Sequence, residues 1–242
     1  LPSDQLTWRY TFVQQGTSAE LVAQKFGITR EAMDRFAVES HRRAAEADDA
    51  GLFAPEIVAV QTVDEDGGPL TVSHDEGIRR GTSYEKVSTL RPAFAEDGTV
   101  TAATSSQISD GAAALLVASE DAVKRLGLKP RAKIRTMSVA GVDPTIMLTG
   151  PIPATRKALA KAGMGMGDID LFEVNEAFAS VVLGWAQVLE ADLEKVNVYG
   201  GACALGHPLG ASGARLLTTL LNALEQRDLS VGLSTMCIGF GQ

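Results

Sequence analysis

From Arg131 onward the chain alternates short apolar runs of strand length with longer stretches of helical period, and this pattern limits the folds open to it. Arg131 to Ala140 reads as a strand, and Ala154 to Lys161 as a helix stopped near Gly163. Ile169 to Val174 is a strand leading into a helix from Glu176 to about Leu189. Val196 to Tyr199 precedes a glycine-rich turn, a long helix runs from about Ala211 to Glu225, and Val231 to Ile238 forms a last strand. Strands in alternation with helices imply an α/β domain in layers, with a covered sheet. Ahead of it, the first segment reads as two amphipathic helices. In the second, Thr29 is the expected N-cap, Met33, Phe36 and Ala37 share a face, and Gly51 ends the run; His41 is expected at the surface. Glu56 to Leu90 reads as short strands such as Ile57 to Val63, broken by Gly67, Gly68 and Gly81, with His74 exposed among acids. Gly111 to Ser119 is small and apolar, as expected of a buried element packed closely on its neighbours.

Composition excludes several classes. The 242 residues are 45% hydrophobic and 21% charged, enough for one large domain or two modest ones. No apolar run reaches the length of a membrane span, and Leu1 to Tyr10 shows neither a basic region nor a hydrophobic leader segment. A cytoplasmic or organelle-matrix setting with no membrane partner is the expectation. The net charge of −8 argues against nucleic acid, which needs a concentrated Lys/Arg field. Two cysteines, Cys203 and Cys237, make neither a disulfide framework nor a spaced metal motif, so reduced thiols and no metal are expected.

Three segments place a reactive or hydrogen-bonding side chain at a strand end, where the loops of an α/β sheet gather a ligand. They are Asn175 to Phe178 (NEAF), Gly200 to Arg215 (GGACALGHPLGASGAR) and Cys237 to Gln242 (CIGFGQ). Glycines around His207 let backbone approach a ligand closely, which suits a catalytic base but equally a hydrogen-bonded structural histidine. Cys237 follows an apolar strand and reads either as an inert core thiol or as an acid/base beside the N–H groups of the glycines after it. Cys203 lacks that setting and reads as a small packing residue.

Taken together, these three segments resemble the C-terminal motifs of thiolases. Gly16 to Ala44, Asp97 to Leu116 and Gly150 to Thr155 are similar to that family's loop region and domain crossover, so the resemblance covers nearly the whole chain. It implies an α/β, layered α-β-α-β-α fold. Residues 1–105 would form a loop region that binds coenzyme A, 106–130 a returning segment of the N-terminal domain, and 131–242 the C-terminal domain. It implies an acyltransferase in which a cysteine of the N-terminal half attacks the 3-ketoacyl thioester and the acyl group passes to CoA. Carried onto this chain, His207 would deprotonate that cysteine and Cys237 would move the proton at the α-carbon. Asn175 would hold a water that, with His207, binds the thioester oxygen, and the N–H of Gly239 would form part of a second oxyanion hole. Ser106 matches a contact to the pantetheine arm, and Met147 and Phe178 match residues of the acyl pocket. Coenzyme A enters as substrate, no tightly bound cofactor is implied, and the family's assemblies imply a homodimer or homotetramer.

The sequence also departs from the pattern. The nucleophile motif is absent from these residues, which alone are therefore expected to be inactive; either a longer polypeptide or a separate chain carrying the N-terminal half would supply it. Gln107 stands where many biosynthetic members have glycine, and Ser105 to Gly111 looks more like degradative 3-ketoacyl-CoA thiolases acting on fatty-acid or steroid side chains. The competing readings are a biosynthetic acetoacetyl-CoA thiolase, a decarboxylating ketoacyl synthase, which usually carries histidine at position 237, and a noncatalytic acyl-CoA-binding subunit. The last has no need of both His207 and Cys237.

Overall fold

Helix formation at the start follows the expected signals. In a computed structural model, residues 7–241 are described; Leu1 to Gln5 and Leu6, and Gln242 of the last motif, lie outside them. Helix α1, Gln15–Phe26, ends at Gly27, whose φ of 63° gives the left-handed cap that lets a helix stop. Helix α2, Arg30–Asp49, begins where Thr29 Oγ1 accepts the Ala32 N–H at 3.1 Å. Its buried positions, Met33, Ala37, Ser40, His41, Ala44 and Ala47, recur every three or four residues and form one stripe.

A second group of elements surrounds a small parallel sheet. Strands β1 (Val60–Val63) and β2 (Pro69–Val72) first make an exposed antiparallel hairpin, followed by the single turn α3 (Tyr84–Val87) and the short helix α4 (Glu120–Leu126). Helix α5, Pro151–Ala162, starts on proline and stops at Gly163. Strand β3, Leu171–Val174, is buried on both faces and leads to helix α6, Ala179–Leu189. The one-turn helix α7, Ala202–Leu205, and the long α8, Ser212–Gln226, precede β4, Gly232–Thr235, which pairs with β3 in parallel. Asn197 adds a third track: its N–H donates to Phe172 O, while its side-chain amide donates to Val174 O and accepts from Val174 N at 2.8 Å each. Trp185 of α6 is fully buried, stacks edge-on to Phe172 and donates Nε1–H to Thr155 Oγ1, so α5, α6 and β3 share one core. No helix among the described residues is long and apolar enough to cross a membrane.

Two expectations fail in an informative way. Gly111 to Ser119 has no regular secondary structure and is exposed, Leu116 by 84% and Val117 by 71%, rather than a buried element. Arg131 to Ala140 likewise has no regular secondary structure and pairs with no strand among the described residues. Side chains anchor it: Arg131 to Asn222 and Glu225, Ser138 to Ala154 O, Lys157 to Val139 O, and Lys161 to Met137 O. Strand assignment requires a ladder as well as propensity, and no neighbouring backbone lies alongside to provide one.

His41 is buried, not at the surface, and its Nδ1 accepts the Arg79 N–H at 3.1 Å. Burial, aided by the nearby Arg79 charge, holds its pKa down to about 4. The unfolded chain protonates this histidine below about 6.5, while the folded one resists until about 4. Its contribution to stability is therefore full above 6.5 and declines as pH falls toward 4, by up to about 3 kcal/mol. Unfolding free energies at pH 7 and pH 4.5 check this: a His41→Gln variant should lose less stability between the two than the parent, and equal losses refute the assignment.

Candidate active site

Asn175 and Cys237 leave the C-terminal ends of adjacent parallel strands. Val174 of β3 pairs with Thr235 of β4, and the Asn175 N–H extends the pairing by donating to Thr235 O at 3.0 Å. Residues just beyond such ends face the crevice where α/β sheets act on ligands. Antiparallel to the next stretch runs 104–106: Ser105 bridges Phe178, Ala179 N–H donates to Thr104 O, and the Ser106 N–H donates to Ala177 O at 3.0 Å. Ser106 is thereby held, half-buried, beside the NEAF segment.

The turn bearing His207 is built by close backbone approach. Gly200 has φ +76°, and a Cβ there would sit 2.5 Å from Ser40 O. At Gly206, φ +89°, a Cβ would fall 2.1 Å from Ser109 Oγ, so only glycine fits. The His207 N–H is shared between Gln107 O at 2.9 Å and Ser109 Oγ at 3.0 Å. Gln107 Nε2 in turn donates to Gly77 O, Cys203 O and Ala204 O, stitching the turn to two other segments. On the imidazole, Nδ1 lies 2.5 Å from Ser212 Oγ, and Nε2 lies 3.3 Å from Asn175 Nδ2. Burial, together with the positive charge of Arg215, holds the His207 pKa below the usual histidine value. The shift favours the neutral ring, the form able to accept a proton.

Cys237 lies two residues beyond the end of β4, in apolar surroundings. It is 7% exposed and packs in one cluster with Met147, Ala177, Phe178 and Val181. Burial pushes its thiol up to about 12, so at neutral pH it carries its proton and is an acid. Gly239 follows in a tight turn, in which the Phe240 N–H donates to Met147 Sδ and Phe240 adopts φ +62°. The N-terminus of α8 abuts this strand end: a Cβ on Gly213 would lie 3.9 Å from Met236 Sδ.

The structure thus brings His207 to Asn175, and Cys237 to Met147 and Phe178, with Val174 to Phe178 carrying both groups. Cys203 is a buried packing residue whose S–H reaches Glu176 O. No cluster of three or more His, Cys, Asp or Glu able to hold a metal ion occurs among the described residues. Sequence reasoning missed Gln107, Ser109 and Ser212 as supports of the imidazole. Ser212 lies five residues after His207, at the first position of the following helix, a spacing that could have flagged it.

Comparison with known proteins places these observations in context. Residues 1–121 match the family model described as thiolase, N-terminal domain, and residues 128–242 match thiolase, C-terminal domain. The 3-ketoacyl-CoA thiolase of Idiomarina loihiensis is 55% identical over 231 residues, covering 94% of this chain and 60% of that protein. That of Saccharophagus degradans is 54% identical, with 94% and 59% covered. Among solved structures, the Bacillus anthracis acetyl-CoA acetyltransferase superposes with a TM-score of 0.91 at 42% identity, covering 94% of this chain and 57% of that one. The human mitochondrial 3-ketoacyl-CoA thiolase gives 0.88 at 40% identity, covering 99% and 59%. The chain spans about 60% of the length of the curated relatives it matches.

Proposed function

Because the chain belongs to the thiolase family and has its α/β fold, we propose that it carries the acid/base half of a 3-ketoacyl-CoA thiolase. The overall reaction is CoA-dependent cleavage of a 3-ketoacyl-CoA to acetyl-CoA and a shortened acyl-CoA. The observation that carries this reading is the hydrogen-bonded pair of Asn175 and His207 at the end of a parallel strand whose neighbour ends at the protonated thiol of Cys237. Degradation is favoured over synthesis by the relatives named 3-ketoacyl-CoA thiolase at 54–55% identity.

Neither cysteine of this chain is placed as the nucleophile, so the thiolate is assigned to a cysteine outside these 242 residues. His207 Nε2 takes that thiol's proton, and the thiolate bonds to the 3-keto carbon. The bond between carbons 2 and 3 then breaks, and its electron pair stays on carbon 2. Cys237 delivers the proton that turns this carbanion into acetyl-CoA. The Cys237 thiolate left behind is a strong base, by virtue of its burial, and takes the proton from the incoming CoA thiol. CoA sulfur then displaces the acyl group from the enzyme, and the released cysteine thiolate takes its proton back from His207 Nε2. During cleavage, negative charge gathers on the thioester oxygen, where His207 Nε2–H and a water held by Asn175 stabilise it, while the Gly239 N–H faces the acyl-enzyme oxygen. Met147 and Phe178 line the acyl pocket, Ser106 contacts the pantetheine arm, and residues 1–105 form the loop region that receives CoA.

The test uses the polypeptide extended to full family length, assayed with CoA against acetoacetyl-CoA and longer 3-ketoacyl-CoA substrates. Turnover of the longer substrates is expected; none with any substrate refutes the reading and favours a noncatalytic binder. Asn175→Ala should lower kcat by about 10²–10³-fold, the usual effect of losing one oxyanion-hole donor. Full turnover in that variant removes Asn175 from the mechanism.

A further inference from the structure

The imidazole of His207 has two nitrogens, and the base must leave the correct one bare. Asn175 is fully buried, and its Nδ2, which can only donate, lies 3.3 Å from Nε2. Which nitrogen carries the proton in the neutral ring is therefore set by the partner on the other side of the imidazole. The atom facing Nδ1 is Ser212 Oγ at 2.5 Å, on a side chain with no exposure at all. The Ser212 hydroxyl has one hydrogen of its own, and a second oxygen lies within its reach, Pro208 O at 3.0 Å. A consistent assignment of hydrogens follows: Ser212 O–H donates to Pro208 O, and Nδ1–H donates to Ser212 Oγ.

We propose that Ser212 is a positioning residue that holds His207 in the Nδ1–H tautomer, so that Nε2 is the base. This rests on the thiolase reading above and adds the group that orients its base. The logic is that of any nucleophile–base pair whose base is fixed by a third partner. A serine oxygen does this without charge. When Nε2 takes a proton, the ring becomes an imidazolium that needs an acceptor on both nitrogens, and Ser212 Oγ is already in place for Nδ1–H. Ser212 is also the first residue of α8, with its N–H donating to Pro208 O at 2.9 Å, so the acceptor is fixed to a rigid helix start rather than to a loop. His207 is gripped from the other side by Gln107 O and Ser109 Oγ through its backbone N–H, which leaves ring orientation to Ser212 and Asn175.

Two measurements on the full-length enzyme test this. Ser212→Ala should lower kcat by about 10–100-fold, part of the ~10²–10⁴-fold a well-placed base supplies, with KM within about twofold, since a fully buried side chain touches no substrate. Nitrogen-15 spectra of histidine-labelled parent, with the His207 signals assigned by their loss in His207→Gln, should show a protonated Nδ1 and a bare Nε2. Ser212→Ala should shift that balance toward the other tautomer. A kcat within twofold of the parent, or a neutral parent ring protonated at Nε2, overturns the proposal. Should Ser212→Ala fail to fold, the parent spectrum alone decides. An inactive parent with the expected spectrum would sink the thiolase reading while upholding the contact, so the two failures are distinguishable.

Discussion

Replacing His207 with alanine in the full-length enzyme is expected to lower kcat by about 10⁴-fold, the upper end of what a single general base contributes. The side chain serves twice in the proposed cycle: it first takes the nucleophile's proton, then donates Nε2–H to the thioester oxygen as charge builds there. Burial and the Arg215 charge hold the His207 pKa below the ordinary histidine value, which favours the neutral, basic ring. Removal also leaves the Asn175 amide facing a void, with its Oδ1 already buried and without a partner among the described residues. Single-turnover acylation should show the same loss as steady-state kcat, because both of these roles fall in the acylation half-reaction. KM should change little, since the ring's large contribution is confined to the transition state. A variant retaining more than about a tenth of the parent rate would show that another group moves the proton, and would remove His207 from the centre of the mechanism.

How much of this site could be read from sequence depended on the range over which each feature is determined. Helix α2 was legible because Thr29, the Met33/Ala37 stripe and Gly51 are local signals, and the structure places each as expected. The three strand-end motifs were legible because glycines and a strand–turn–helix pattern dictate where a backbone must turn. The burial of His41 was not legible: its neighbour is the backbone of Arg79, 38 residues away, and nothing in the helix pattern reports a distant segment folding over it. The assignment of Gly111 to Ser119 as buried failed for a related reason. Small apolar composition states what a segment can tolerate, but burial needs a surface opposite it. Gln107 was singled out only as a departure from a family pattern, yet its backbone carbonyl and side-chain amide together brace the His207 turn. Such a role becomes visible only once residues 107 and 207 are seen side by side.

Glu176→Ala is expected to be the most destabilising single substitution near the site, by about 3–5 kcal/mol. This carboxylate is buried and accepts three hydrogen bonds: Ser40 Oγ at 2.7 Å, the Cys203 N–H at 3.0 Å and Asn197 Nδ2 at 2.9 Å. Ser40 Oγ then accepts the Gly201 N–H, so one acidic group ties α2, the third track beside β3 and the glycine turn to the NEAF segment. Burial raises its pKa above the ordinary carboxyl value, and the three donors offset that rise only in part. Alanine removes the acceptor and leaves three buried donors unpaired, each at about 1–3 kcal/mol, and it opens a cavity as well. Gly201 shows how closely the pieces fit, since a Cβ there would lie 2.3 Å from the Glu176 carboxyl carbon. Glutamine keeps the shape but offers one acceptor oxygen in place of two, so Glu176→Gln should fall between parent and alanine in chemical unfolding. Both variants should also lose turnover, because Gly201 and Cys203 anchor the turn that delivers His207. If Glu176→Ala unfolds within 1 kcal/mol of the parent, the buried carboxylate is not what holds these segments together, and the placement of His207 must come from Gln107 and Ser109 alone.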